Sequence, residues 1–190
     1  MLNRLRSGTR DLHGLIETNP LHRAIVDGTV TRAGYLRLLQ RMYGVHCRFE
    51  YWAGLRTEWS QFGFDFGERR RLALLERDLK ALDFVSASAL PAAPLPLEEV
   101  GFPFLLGYLY VLEGSTLGGQ IMCRLIQRHL GLTPDSGSAY FHSCGALVGA
   151  RWRACQELLS RAGAPSSAAD EIVGGARDAF IRIDSWLRRE

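Results

Sequence analysis

Pro103 and the pair Gly131 and Pro134 bracket a stretch of about 28 residues with no other stop signal, since proline suits a first helical turn and glycine a helix end. That stretch reads as one long helix, and it sets the architecture. Its most apolar part, Phe102 to Leu112, ends at Glu113, well short of the roughly 18 residues a membrane-crossing helix needs. A buried helix of a globular protein is the expectation.

The rest of the chain follows the same helical period. Leu2, Leu5, Leu12, Leu15 and Ile16 recur at helical spacing and stop at Thr18-Asn19-Pro20, where proline biases the residue before it away from helix. After a short helical piece ending at Asp27-Gly28, Thr31 is a plausible N-cap for a helix carrying Tyr35, Leu38, Met42, Val45, Phe49 and Trp52 on one face and running to about Trp59. Glu68 to Leu82 is amphipathic, and Ser86 to Pro96 reads as a connector. The spacing predicts two last helices, over 139–162 and 167–188, parted by Ala164-Pro165-Ser166. No run of alternating β-branched residues, no repeat and no glycine-rich phosphate loop occurs. The expected fold is all-α, in one domain over 1–190, a length sufficient to bury a sizeable core.

Charge narrows the function classes. The net charge of +3 comes from Lys and Arg scattered along the chain, so nucleic acid is a poor partner. A small dianion needs only a few well-placed guanidinium groups, which net charge hardly records. Cys47, Cys123, Cys144 and Cys155 form no CxxC pair, and without CxxCH the usual covalent haem attachment is ruled out. The segment before His13 carries Arg and Asp and lacks an apolar signal region, so the expectation is a cytoplasmic chain with free thiols and no membrane anchor.

Three groups of residues could carry chemistry. Arg6, Thr9, His13 and Glu17 fall within about 80° of helical arc, a polar stripe beside the leucine stripe of the first helix. His13 at such a boundary could ligate a metal with Glu17 holding its second nitrogen; it could equally be a half-buried histidine merely paired with Glu17. In the long helix, Gly114, Gly118 and Gly119 together give up about 3 kcal/mol of helix preference relative to alanine. They allow a flat ligand close to the backbone, or a kink, or simply tight packing against a neighbouring helix. Arg151 and Arg153 lie in an apolar helix, either solvated or available to carboxylates. His22, His46, His129 and His142 have no partners at metal-ligand spacing, and a surface or capping role is expected for each.

Taken together, Leu5 to His13 with Glu17, the turn Gly28 to Tyr35, the stretch Glu113-Gly114-Ser115-Thr116-Leu117-Gly118-Gly119-Gln120, and Ala176-Arg177-Asp178-Ala179-Phe180 resemble the haem oxygenase (heme oxygenase) family, most closely its bacteriophytochrome-associated bacterial branch. The resemblance spans nearly the whole chain. It implies that His13 is the iron ligand, that Thr9 and Glu17 stand beside it, and that Phe180 lines the pocket. Arg6 falls where the family places a basic residue for a haem propionate, with Arg151 or Arg153 near the other basic contacts. Gly114, Ser115, Gly118 and Gly119 become the wall over the oxygen-binding face. Ser115 stands where animal members carry an aspartate, a departure that touches the proton-delivery route and not haem binding, and Tyr110 stands one residue from their distal tyrosine. Haem would be both substrate and cofactor, non-covalently held, with O2 and electrons from a ferredoxin or a reductase yielding biliverdin, CO and iron; biliverdin suggests a link to a bacteriophytochrome. The rival readings are a haem carrier or sensor without turnover, a non-haem enzyme of similar helical architecture such as the thiaminase-like and quinone-cofactor synthesis proteins, and a degenerate relative with no tight haem binding.

Overall fold

The computed structural model describes residues 1–84 and 86–189, and every regular element among them is a helix. In chain order these are α1 (Leu2–Glu17), α2 (Pro20–Val26), α3 (Arg32–Gly54), α4 (Leu72–Ala81), α5 (Phe102–Leu130), α6 (Ala139–His142), α7 (Val148–Ala162) and α8 (Ser166–Leu187). Short 3-10 turns lie at Glu58–Phe62, Gly67–Arg69, Ala87–Ala89 and Gly145–Leu147. Local signals set several of the ends. Asn19 caps α2 through Leu21 N at 3.1 Å and Thr31 caps α3 through Gly34 N at 3.0 Å. Gly131 closes α5 in the left-handed region at φ +69°, its amide donating to Gln127 O.

α5 is continuous through its glycines and packs most extensively on α8, which in turn holds α1. The α5–α8 crossing is a backbone-to-backbone approach. A Cβ at Gly107 would collide with the carbonyl of Ile172 and the amide of Ala176, and one at Gly175 with the carbonyl of Phe104. Around this crossing Leu5, Leu105, Leu106, Ile172, Ala176 and Ala179 are completely buried. With α1 docked on the same helix as α5, the space between α1 and α5 is left as a cleft.

Three boundaries differ from the sequence reading, each because a distant residue intervenes. α3 ends at Gly54 and not near Trp59, since the Trp59 indole turns back to donate to Ala53 O at 2.8 Å and stacks on Phe66 with ring centroids 4.9 Å apart. α4 starts at Leu72 and not at Glu68, because the Glu50 carboxylate accepts from Arg71 N at 2.7 Å and Leu72 N at 3.0 Å and so caps it from across the fold. The helix expected over 139–162 is broken after His142. There Ser143 (φ +53°) and Gly145 (φ +57°) turn the chain, and Asp78 accepts from Ala139 N and Tyr140 N, each at 2.8 Å.

His46 is a further correction. It is buried and engaged at both nitrogens, Nδ1 lying 3.0 Å from Glu50 and Nε2 3.2 Å from the Tyr140 hydroxyl. Burial holds its pKa below the ordinary histidine value. A neutral ring beside an ionised Glu50 must then donate from Nδ1 and accept the Tyr140 hydroxyl at Nε2.

Candidate functional site

The polar stripe of α1 opens onto a cleft of about 490 Å³ lined by Arg6, Thr9, Arg10, His13, Gly14, Glu17 and Tyr110. Four of these are the residues the sequence grouped on one face; Arg10 and Gly14 lie beside them on the same helix, and Tyr110 of α5 joins them only through the fold. The His13 side chain is 66% exposed, with Nδ1 3.2 Å from Glu17 Oε1 one turn on. Glu17 therefore holds one nitrogen of the ring, and Nε2 has no partner among the described residues. Phe180, almost wholly buried on α8, lies against the imidazole with ring centroids 5.8 Å apart. Thr9 is buried at the base of the stripe, its hydroxyl donating to Leu5 O at 2.8 Å, while Arg6 and Arg10 are exposed at the rim.

Tyr110 joins this cleft to α5. Gly114, Leu117, Gly118 and Ile121 share its face of the helix within about 100° of arc. That face is apolar and uncovered: Leu117 is 44% and Ile121 55% exposed. The glycines do different things. A Cβ on Gly118 would meet nothing within 4 Å, so this position borders open space. A Cβ on Gly114 would lie 3.6 Å from the Trp152 ring, which also packs beside Tyr110 at 5.7 Å between ring centroids. Gly119 faces away, where a Cβ would come within 2.9 Å of the Phe141 carbonyl oxygen. Close packing thus explains Gly119, and nothing packs on Gly118. Ser115 is exposed, and its hydroxyl donates to Leu112 O at 2.7 Å.

The two arginines of α7 do not line this cleft. Arg151 donates to Glu68 O at 2.6 Å with Glu68 Oε2 3.9 Å away, and Arg153 is exposed. Between them Trp152 supplies the contact to α5, a role the sequence gave no local sign of.

Behind α5 lies a buried polar cluster. Arg71 Nη2 donates to Leu112 O at 2.5 Å, and its guanidinium sits 5.3 Å over the Tyr140 ring. Arg69 pairs with Glu113 at 3.2 Å and donates to Arg151 O, both side chains being buried. Further along α5, Gln120 Nε2 donates to His142 O at 2.7 Å.

Comparison with known proteins places this geometry in a family. The heme oxygenase family profile matches residues 1–189. A heme oxygenase from Xanthomonas campestris pv. campestris is 26% identical over 170 residues, covering 88% of this chain and 96% of the relative. Among solved structures, heme oxygenase-1 of the cyanobacterium Synechocystis, in complex with heme, superposes with a TM-score of 0.79 at 21% identity, covering 97% of this chain and 89% of that one. The NO- and CO-bound heme oxygenase of Neisseria meningitidis gives 0.78 at 22% identity, covering 98% and 89%. With its helices arranged as in these proteins and the profile matched nearly end to end, the chain belongs to the heme oxygenase family.

Proposed function

We propose that the chain binds haem between α1 and the glycine-bearing face of α5 and, with O2 and externally supplied electrons, degrades it to biliverdin, CO and free iron. The observation that carries the reading is His13 in an open cleft, one ring nitrogen held by Glu17 and the other unengaged. One imidazole supplies one ligand bond, which suits an iron whose equatorial bonds come from a porphyrin. The carboxylate on its far side fixes the tautomer and raises ligand basicity. The uncovered apolar face formed by Leu117 and Ile121 offers the flat contact a macrocycle needs, and Arg6 and Arg10 at the rim offer cations for two carboxylates. Because Arg151 is engaged with Glu68, this rim pair fits the propionates better than the α7 arginines.

In the reaction the bound haem supplies the iron chemistry, being substrate and cofactor at once. His13 Nε2 would hold the iron, with Phe180 behind the imidazole. Gly118, lacking a side chain, would leave room for the ring directly beside the α5 backbone. The Ser115 hydroxyl gives its proton to Leu112 O and keeps lone pairs free, so it accepts from a water molecule and orders it there. The electron donor is a ferredoxin or a reductase. The setting is the cytoplasm, where the free cysteines stay reduced, and the products serve either a bacteriophytochrome, through biliverdin, or iron recovery. Among the described residues no helix is long and apolar enough to cross a membrane.

The test is absorbance of the purified protein with equimolar haemin, before and after adding a reducing system under air, alongside His13→Ala. A Soret band that His13→Ala loses, and that gives way to biliverdin absorption only with reductant, supports the reading. A band that persists through turnover with more than one donor makes the chain a carrier or sensor, and absence of a band removes haem from the account.

A further inference from the structure

We infer that Arg71 is a positioning residue for the cleft wall: its bond to the Leu112 carbonyl fixes where Gly114, Ser115 and Gly118 stand relative to the bound ring. The inference rests on the haem reading above. In a regular helix the Leu112 carbonyl serves the amide four residues on. Here it also receives Arg71 Nη2 at 2.5 Å from behind and the Ser115 hydroxyl at 2.7 Å. A side chain drawing on a helix carbonyl is a recognised cause of local bending, and Gly114, two residues on, resists such bending least.

Arg71 is itself held on several sides. Its amide donates to Glu50, which His46 contacts in turn, and its guanidinium lies over Tyr140. One helical position further on, Arg69 grips Glu113. At the other end of the glycine stretch, α6 closes on α5 through Phe141 O against Gly119 and His142 O against Gln120. The wall is therefore pinned from behind at 112–113 and at 119–120, while Leu117 and Gly118 between those points are uncovered. Stability is a poor reason for this arrangement, since a buried guanidinium is costly to desolvate and Arg71 Nε finds no hydrogen-bond partner among the described residues. Placement of the α5 backbone is what an apolar substitute would not reproduce.

The experiment uses the full chain carrying Arg71→Met or Arg71→Lys. Amide hydrogen exchange without haem is read by mass spectrometry, followed by haemin titration and analysis of the biliverdin isomers formed. Removing a charged donor from a buried carbonyl is expected to speed exchange over 112–118 by about tenfold in Arg71→Met, with α3 and α8 unchanged. The Soret band persists, because His13 and Glu17 are untouched, and the isomer distribution moves away from wild type. Arg71→Lys, which keeps a charged donor, recovers part of the protection. The proposal is overturned if exchange over 112–118 stays at the wild-type rate, or if it rises equally in every helix, which is plain destabilisation. Absence of a Soret band in the wild-type protein refutes the haem reading instead, and leaves the exchange result to judge Arg71.

Discussion

The ring of Phe180 on α8 lies 5.8 Å from that of His13 on α1, tilted by 58°, so the C-terminal helix forms the back of the imidazole's seat. Phe180 is almost wholly buried, and the pair is held by the docking of α1 on α8, with Arg177 of α8 bonded to Asp11 of α1 at 3.0 Å. Phe180→Ala should therefore lower stability by about 3–5 kcal/mol through the cavity it leaves. Phe180→Leu should stay folded but bind haemin more weakly than wild type, since the imidazole loses its flat neighbour. Urea unfolding and haemin titration separate the two effects, and unaltered affinity in Phe180→Leu would show the ring contact to be only structural.

Glu17 acts on haem only through His13. His13→Ala is expected to abolish the Soret band. Glu17→Ala should keep it, with affinity lowered on the order of tenfold, the usual range for losing a carboxylate behind a ligating histidine. Equal haemin affinity in wild type and Glu17→Ala would remove Glu17 from the site.

The α5 glycines give opposite expectations for one chemical change. Gly118→Ala adds a methyl group where nothing lies within 4 Å, so it should stabilise the fold by up to about 1 kcal/mol through helix propensity and raise the melting temperature, yet weaken haem binding by filling the space beside α5. Gly119→Ala places a methyl carbon 2.9 Å from Phe141 O and should destabilise the fold. Calorimetry with and without haemin reads both. Tight haem binding by Gly118→Ala would argue that the ring does not approach this face.

Ser143 adopts φ +53° and ψ −121°, a backbone conformation that side chains other than glycine's rarely take. Ser143→Gly should stabilise the protein by about 1 kcal/mol, measured by chemical denaturation. A loss of stability would mean that the serine side chain contributes more than its backbone strain costs.

Stability should also fall in mild acid. His22 is half-buried with its Nδ1 fully enclosed, and burial lowers its pKa from 6.5 to about 4. Between those values the unfolded chain takes up a proton that the folded chain refuses, so stability declines as pH falls from about 6.5 to about 4 and levels off below. In His22→Gln this part of the slope disappears. Relative to the variant, the wild type should lose urea resistance as pH falls from about 6.5 to about 4; parallel curves would show that His22 titrates alike in both states.

How far the sequence could be read depended on whether a feature's cause was local. Thr31 and Asn19 cap helices by bonding amides two or three residues away, and Gly131 ends α5 through its own φ, so α2, α3 and α5 begin or end where their residues say. The starts of α4 and α6 are invisible locally, because their caps are Glu50 and Asp78, many residues distant. His46 sits one turn from Glu50 on α3, but its burial and its bond to Tyr140 arise only when α3 meets α6, so it looked like any surface histidine.

The candidate site divides along the same line. Helical periodicity by itself put Arg6, Thr9, His13 and Glu17 on one face, and even paired His13 with Glu17, since residues four apart on a helix must be neighbours. Only the tertiary structure decided what stands opposite and behind. It brought Tyr110 to the cleft, left Gly118 beside open space, turned Gly119 against Phe141, gave Arg151 to Glu68, and set Arg71 behind Leu112. The physical reason is range: period and capping act within a turn or two of chain, whereas the crossing of α5 over α8 at Gly107 and Gly175 sets how α1, docked on α8, stands relative to α5.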